Sequence, residues 1–149
     1  MIEIEVEAGD WDQAVAQVDH IVTRAAQAAL GTEAGDVVVL LTDDAAVREL
    51  NARFRDRDRP TNVLSFPAAD SAFPHRGDLV LAFETCRDEA VAQGKTLADH
   101  LSHLVVHGVL HILGHDHEDE AEAEAMESAE RTILAGIGVS DPYRFQNDR

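Results

Sequence analysis

Ile2, Ile4 and Val6 alternate with Glu3, Glu5 and Glu7 at the start of the chain. A period of two predicts a strand with one wet face. Gly9-Asp10 then introduces a helix, with Asp10 as N-cap, an apolar stripe of Trp11, Val15, Val18, Val22, Ala25 and Ala29, and Gly31 as its stop. Val37 to Leu41 is continuous and mostly β-branched, which predicts an interior strand buried on both faces. Thr42-Asp43-Asp44 caps a second helix whose stripe is Val47, Leu50 and Phe54. A short strand follows from Asn62 to Phe66, stopped by Pro67, then a loop from Ala68 to Arg76. Gly77-Asp78 leads into a strand from Leu79 to Phe83. The remainder reads as helix: Glu84 to Gln93, Leu97 to Leu113, and an acidic helix from about Glu118 to Leu134.

This order implies an α/β (α+β) fold, a mixed sheet of about four strands packed with helices in one domain spanning residues 1–149. No apolar run reaches the length of a membrane span, and the alternating start does not resemble a targeting segment; a cytoplasmic location is expected. Cys86 is the lone cysteine, so no internal disulfide forms, and its place on a helix suggests a core role. Charge complicates the picture. Twelve basic against twenty-nine acidic residues give −17, which repels nucleic acid at long range. One basic patch stands out, with Arg53, Arg55, Arg57 and Arg59 close together, whereas much of the acid lies between Asp116 and Glu130. The Ala/Glu-rich stretch from Glu120 to Ala125 reads as a solvated helix face, not an interaction tail.

Candidate chemistry concentrates in His107-Gly-Val-Leu-His111-Ile-Leu-Gly114-His115-Asp116-His117. Four residues advance a helix by about 400°, so His107 and His111 share one face, a turn apart. Gly114 stops the helix, and His117 can return to complete a three-histidine site for a divalent metal such as zinc. Three protein ligands leave an open position, the mark of a catalytic site. A closed structural site would need a fourth ligand, which His115 or Asp116 could offer. The metzincin proteases place histidines and glycine at the same offsets, but Gly108 stands where they carry a glutamate base. An ordinary zinc peptidase is therefore disfavoured. His100 and His103 project on the same side as His107 and His111, either lining a groove to the metal, orienting groups behind its ligands, or as exposed polar residues. Asp116 is a candidate acceptor for a ligand N–H, or a helix cap. His20 and His75 lie outside any constellation.

The segment His107 to His117 is similar to H-G-x-L-H-L-x-G-Y-D-H of the YbeY family, bacterial metal-dependent endoribonucleases. Phe54 to Pro67 resembles that family's Y-R-G-K-D-K-P-T-[DN]-V-L-S-F-P, and Gly77-Asp78-Leu79-Val80 its G-D-[IL]-V. The departures are His115 for the usual tyrosine and Ile112 for leucine. The resemblance implies a zincin-like fold, one zinc held by His107, His111 and His117, and an arginine needed for activity, which maps onto Arg55. It also implies action on ribosomal RNA in small-subunit maturation and ribosome quality control. A small-subunit ribosomal protein and a ribosome-associated GTPase are the implied partners, with no membrane or DNA.

On this reading zinc would activate water or polarise a phosphoryl oxygen, and Arg55 would clamp the phosphate. Arg57 and Arg59 fit contacts to the RNA backbone or a partner. Two rivals remain: another metal-dependent hydrolase, such as a peptidase or deaminase, and a ribosome-assembly factor whose metal serves folding. The deaminase signature H-x-E…P-C-x-x-C is absent.

Overall fold

The computed structural model describes residues 1–115 and 118–143. Strand β1 (Ile2–Val6) keeps the expected alternation, and short helix α1 (Asp10–Ala14) follows. Next come α2 (Val18–Leu30), β2 (Asp36–Thr42), α3 (Asp44–Arg55), β3 (Val63–Pro67), β4 (His75–Ala82), α4 (Phe83–Gln93), α5 (Leu97–Ile112) and α6 (Glu120–Gly136). The four strands form one mixed sheet in the order β1-β2-β4-β3. β1, β2 and β4 are parallel, and β3 runs antiparallel on the far edge, pairing Val63 with Leu81 and Ser65 with Leu79.

Period-two alternation divides the sheet between two layers. Val37, Val39 and Leu41 of β2 and Leu79 and Leu81 of β4 point into the larger core with α2, α5 and α6. Leu40, Val80 and Ala82 point the other way, where Val47 of α3 and Leu64 complete a smaller core. β2 is thus sealed on one face and only half-buried on the other, because one helix covers that side. Ala25, Ala26 and Ala29 let α2 lie close against α5. Asp43, Thr96 and Asp119 cap α3, α5 and α6 through their side chains, each accepting from a backbone N–H three residues on.

Four sequence expectations change. The helix predicted from Asp10 to Gly31 breaks after Ala14, where Val15 is extended and Gln17 left-handed (φ 54°). Trp11, in α1 ahead of the break, is anchored to the sheet: its indole N–H donates to the Thr42 carbonyl at 2.9 Å, and its ring packs edge-on against Phe83. Phe83 opens α4 instead of closing a strand. β4 begins at His75, inside the expected loop, which also holds a short 3-10 turn at Asp70–Ala72. Phe54, in the last turn of α3, is 62% exposed instead of packing inward. Among the described residues no helix is long and apolar enough to cross a membrane.

Candidate active site

α5 presents Leu101, Val105, Gly108 and Ile112 to the core, which leaves His103, His107 and His111 along its partly exposed side. His107 and His111 meet as the spacing predicts. Their Nε2 atoms are 3.0 Å apart, with ring centroids separated by 4.6 Å. Gly114 then ends the helix with φ +100°. The His115 N–H bonds to the Leu110 carbonyl at 2.9 Å and the Gly114 N–H to the His111 carbonyl at 3.0 Å. This pair of bonds is a Schellman cap, and it leaves Gly114 and His115 at the same cleft as the imidazoles.

The opposite wall comes from β3 and the end of α3. Arg55, Asn62, Val63, Ser65 and Pro67 face His107, His111, Gly114 and His115 across a cleft of about 440 Å³. The Arg55 guanidinium is held in place: one Nη donates to the Ser65 carbonyl at 2.6 Å, and its carbon lies 5.5 Å from the centre of the Phe66 ring. A second pocket of about 310 Å³ shares Arg55 and Val63 with the cleft and is lined further by Asn51, Arg57, Arg59, Thr61 and Leu64. Buried Asn51 shapes that loop, donating to the Arg59 carbonyl at 2.8 Å and accepting the Arg57 N–H on its own carbonyl. Asp58, between the arginines, is paired with Arg48 at 2.7 Å.

Behind the cleft is a group that sequence reasoning missed. Glu130 of α6 has no exposed surface. Its Oε1 lies 2.5 Å from Nδ1 of His107; its Oε2 lies 3.3 Å from Nε2 of His103 and accepts from the Tyr143 hydroxyl. Burial alone would raise this carboxyl, but the hydrogen bonds from His103, His107 and Tyr143 outweigh it and hold the pKa at about 2. Burial pushes the His103 imidazole below its ordinary value, so it is neutral near pH 7. A sequence signal for Glu130 did exist: Met126, Glu130 and Leu134 fall at i, i+4 and i+8, so this glutamate lies inside the buried stripe. The Glu120 to Ala125 stretch is the solvated face the sequence implied, and Glu130 lies beyond it where the helix turns its stripe to the core.

His100 and His103 are not exposed and neither lines this cleft, while His103 contacts the Glu130 carboxylate that also holds His107. His100 is buried and pairs at 2.8 Å with Glu89 of α4, which in turn accepts from Asn62 of the cleft wall at 3.0 Å. His20 is exposed, and His75 pairs with Asp78 at 3.2 Å, both away from the site. Cys86 is fully buried near the Asn62 carbonyl, and burial raises its thiol pKa, as a core residue should.

His117 and Asp116 lie outside the described residues. Among the described residues, no three His, Cys, Asp or Glu side chains gather as a metal-ligand set. The two that do meet suit one. Nitrogens each about 2.0–2.1 Å from a tetrahedral zinc lie about 3.3 Å apart, close to the Nε2 separation seen here. Both donors are imidazoles, the ligand type zinc favours.

A mixed sheet flanked by helices, with an imidazole pair facing an anchored arginine across a cleft, defines a class of α/β protein whose site suits an anionic substrate. The chain belongs to the endoribonuclease YbeY family, whose model matches residues 2–138. Relatives named endoribonuclease YbeY include one from Chelativorans sp. (strain BNC1), 51% identical over 95% of this chain and 92% of its own length. Another, from Azorhizobium caulinodans, is 50% identical over 95% of each chain. The solution structure of TM1509 from Thermotoga maritima superposes with a TM-score of 0.58 at 25% identity, covering 92% of this chain and 91% of that one. Membership makes this chain an endoribonuclease, a nuclease of the hydrolase class, and its substrate RNA.

Proposed function

We propose that the chain is a zinc-dependent endoribonuclease that cuts single-stranded segments of ribosomal RNA during small-subunit maturation and ribosome quality control. His107, His111 and His117 hold the metal, and Arg55 grips the scissile phosphate. The observation that carries this reading is one of charge. The protein is at −17, yet no Asp or Glu is among the described residues lining the cleft and its neighbouring pocket, while Arg55, Arg57 and Arg59 are. An anionic substrate is repelled by the protein as a whole and accepted at this one groove.

The Ser65 carbonyl orients the Arg55 guanidinium, whose other N–H groups remain to form parallel bonds to phosphate oxygens. Arg57 and Arg59 extend the positive surface for the backbone beyond the cut. The Phe54 ring, exposed beside them, suits stacking of an unpaired base. When bound, zinc supplies Lewis acidity, polarising a phosphoryl oxygen and acidifying water. His107 and His111 supply two of the nitrogen donors, and His117 is proposed as the third. The acidic remainder favours delivery of RNA by partners, for which a small-subunit ribosomal protein and a ribosome-associated GTPase are proposed, in the cytoplasm.

The test is cleavage of single-stranded RNA, structured ribosomal RNA fragments and peptides by purified protein, before and after chelation and zinc restoration. RNA should be cut only with metal, and Arg55→Ala should lower kcat/KM about 10²–10³-fold. Cleavage of peptides alone would overturn the nuclease reading. Cleavage of RNA that ignores chelation would overturn the metal reading. If Arg55→Ala and His111→Ala fold normally and support ribosomal RNA maturation as wild type does, the metal serves assembly only.

A further inference from the structure

A buried carboxylate is costly unless its oxygens are hydrogen-bonded, and an unpaired one is rare. Glu130 has its donors in three places: His103 and His107, one turn apart on α5, and Tyr143 beyond α6. Among the described residues no lysine or arginine reaches it. Arg131, the next residue along α6, turns to Asp141 at 3.2 Å and stacks over the Tyr143 ring. Among the described residues, then, both Glu130 oxygens are hydrogen-bonded and neither meets a lysine or arginine.

A neutral imidazole carries one proton, on either Nδ1 or Nε2. Oε1 of Glu130 accepts from Nδ1 of His107 at 2.5 Å, which places that proton on Nδ1 and a lone pair on Nε2. Nε2 is the atom that faces His111. We infer that Glu130 is the positioning residue of the imidazole pair: it fixes the His107 tautomer and ring plane so that Nε2 is a ligand, while His103 and Tyr143 hold the carboxylate still. This rests on the metal reading given above. A dication on Nε2 would also offset, through the ring, the charge that Glu130 buries. His103 thus works on the site through Glu130, without touching the cleft.

The experiment has two readouts on the full chain. Nitrogen-15 histidine spectra of the metal-free protein report the tautomer, and competition with a chromophoric chelator reports zinc affinity. The wild-type His107 should carry its proton on Nδ1. Glu130→Gln, nearly isosteric but uncharged, should weaken zinc binding about 10–100-fold. Tyr143→Phe, which spares the carboxylate, should weaken it by a smaller factor. A wild-type His107 protonated on Nε2 overturns the inference even if no variant folds. So does a folded Glu130→Gln protein with wild-type tautomer and affinity. If instead wild type shows the Nδ1 tautomer and binds no zinc, the metal reading fails and the positioning of His107 stands.

Discussion

Replacing Gly108 with alanine sets two effects of opposite sign against each other. In a helix interior alanine is favoured over glycine by about 1 kcal/mol. Against that, a β-carbon at Gly108 would sit 2.5 Å from Cδ2 of Leu79, 3.1 Å from Cδ1 and 3.3 Å from Cγ. Leu79 has no exposed surface and lies in the central strand β4, so it has no empty space to swing into. Overpacking of this kind costs about 1–3 kcal/mol. The net expectation is a loss of about 0–2 kcal/mol, which for a domain of this size lowers Tm by up to roughly 6 °C. Gly136→Ala is the control. It is also helical, nothing lies within 4 Å of its would-be β-carbon, and it should stabilise. In a Leu79→Ala background, Gly108→Ala should change sign and stabilise, with a coupling of about 1–3 kcal/mol. Denaturant melts of the four proteins in that cycle measure it. If Gly108→Ala stabilises wild type as much as Gly136→Ala does, the close approach of α5 to β4 is not what requires glycine. The same contact bears on chemistry: Gly108→Glu should unfold the chain and not create a peptidase, because the side chain would enter the sheet interface.

Two further predictions follow from charge. Arg57→Gln with Arg59→Gln should raise KM for long RNA, leave kcat near wild type, and flatten the dependence of log KM on log salt by about 0.7 per lost phosphate contact; an unchanged slope would remove these arginines from the RNA path. Glu89 supplies the second. Burial would raise its carboxyl, but hydrogen bonds from His100 and Asn62, with the charges of His100 and Lys95, leave the pKa below the ordinary 4.5. A depressed carboxylate contributes stability that is complete above its unfolded pKa and lost as pH falls through the folded one. Denaturant melts should therefore show wild type more stable than Glu89→Gln at neutral pH, with the gap closing below about pH 4. A gap that stays constant to acid pH would count against the pairing.

The fold was most readable where the local pattern and the tertiary environment agree. The period-two strands, the i, i+4 imidazoles and the stop at Gly114 are local geometry, and they appear as the spacing implies. What failed depends on partners distant in sequence. His100 and His103 share a helix face, yet the carboxylates that claim them come from different helices, 11 and 27 residues away. Phe54 matches an inward stripe, but α3 covers only part of the second face of the sheet, and its last turn projects beyond that cover. Gly77 was read as preceding a strand when it lies within one; a β-carbon there would meet the Phe66 carbonyl at 2.7 Å, a constraint set by the neighbouring strand. Glu130 was hidden by composition, one buried glutamate among exposed ones.

The arginine motif gains its meaning from where β3 lies. An unprotected edge strand beside a catalytic helix offers backbone groups to which an extended peptide could add as another strand. β3 is such an edge, and it flanks His107 and His111. Yet the Ser65 carbonyl is already occupied by Arg55 at 2.6 Å, and Pro67 has no N–H to give. A peptide would have to displace a charge-assisted hydrogen bond to pair there, and would gain no donor from Pro67 in return. A phosphodiester needs no strand edge. It needs donors, and a guanidinium with one N–H tied to Ser65 keeps others for the cleft. The contact that closes the edge to peptides is therefore the contact that orients the site for phosphate.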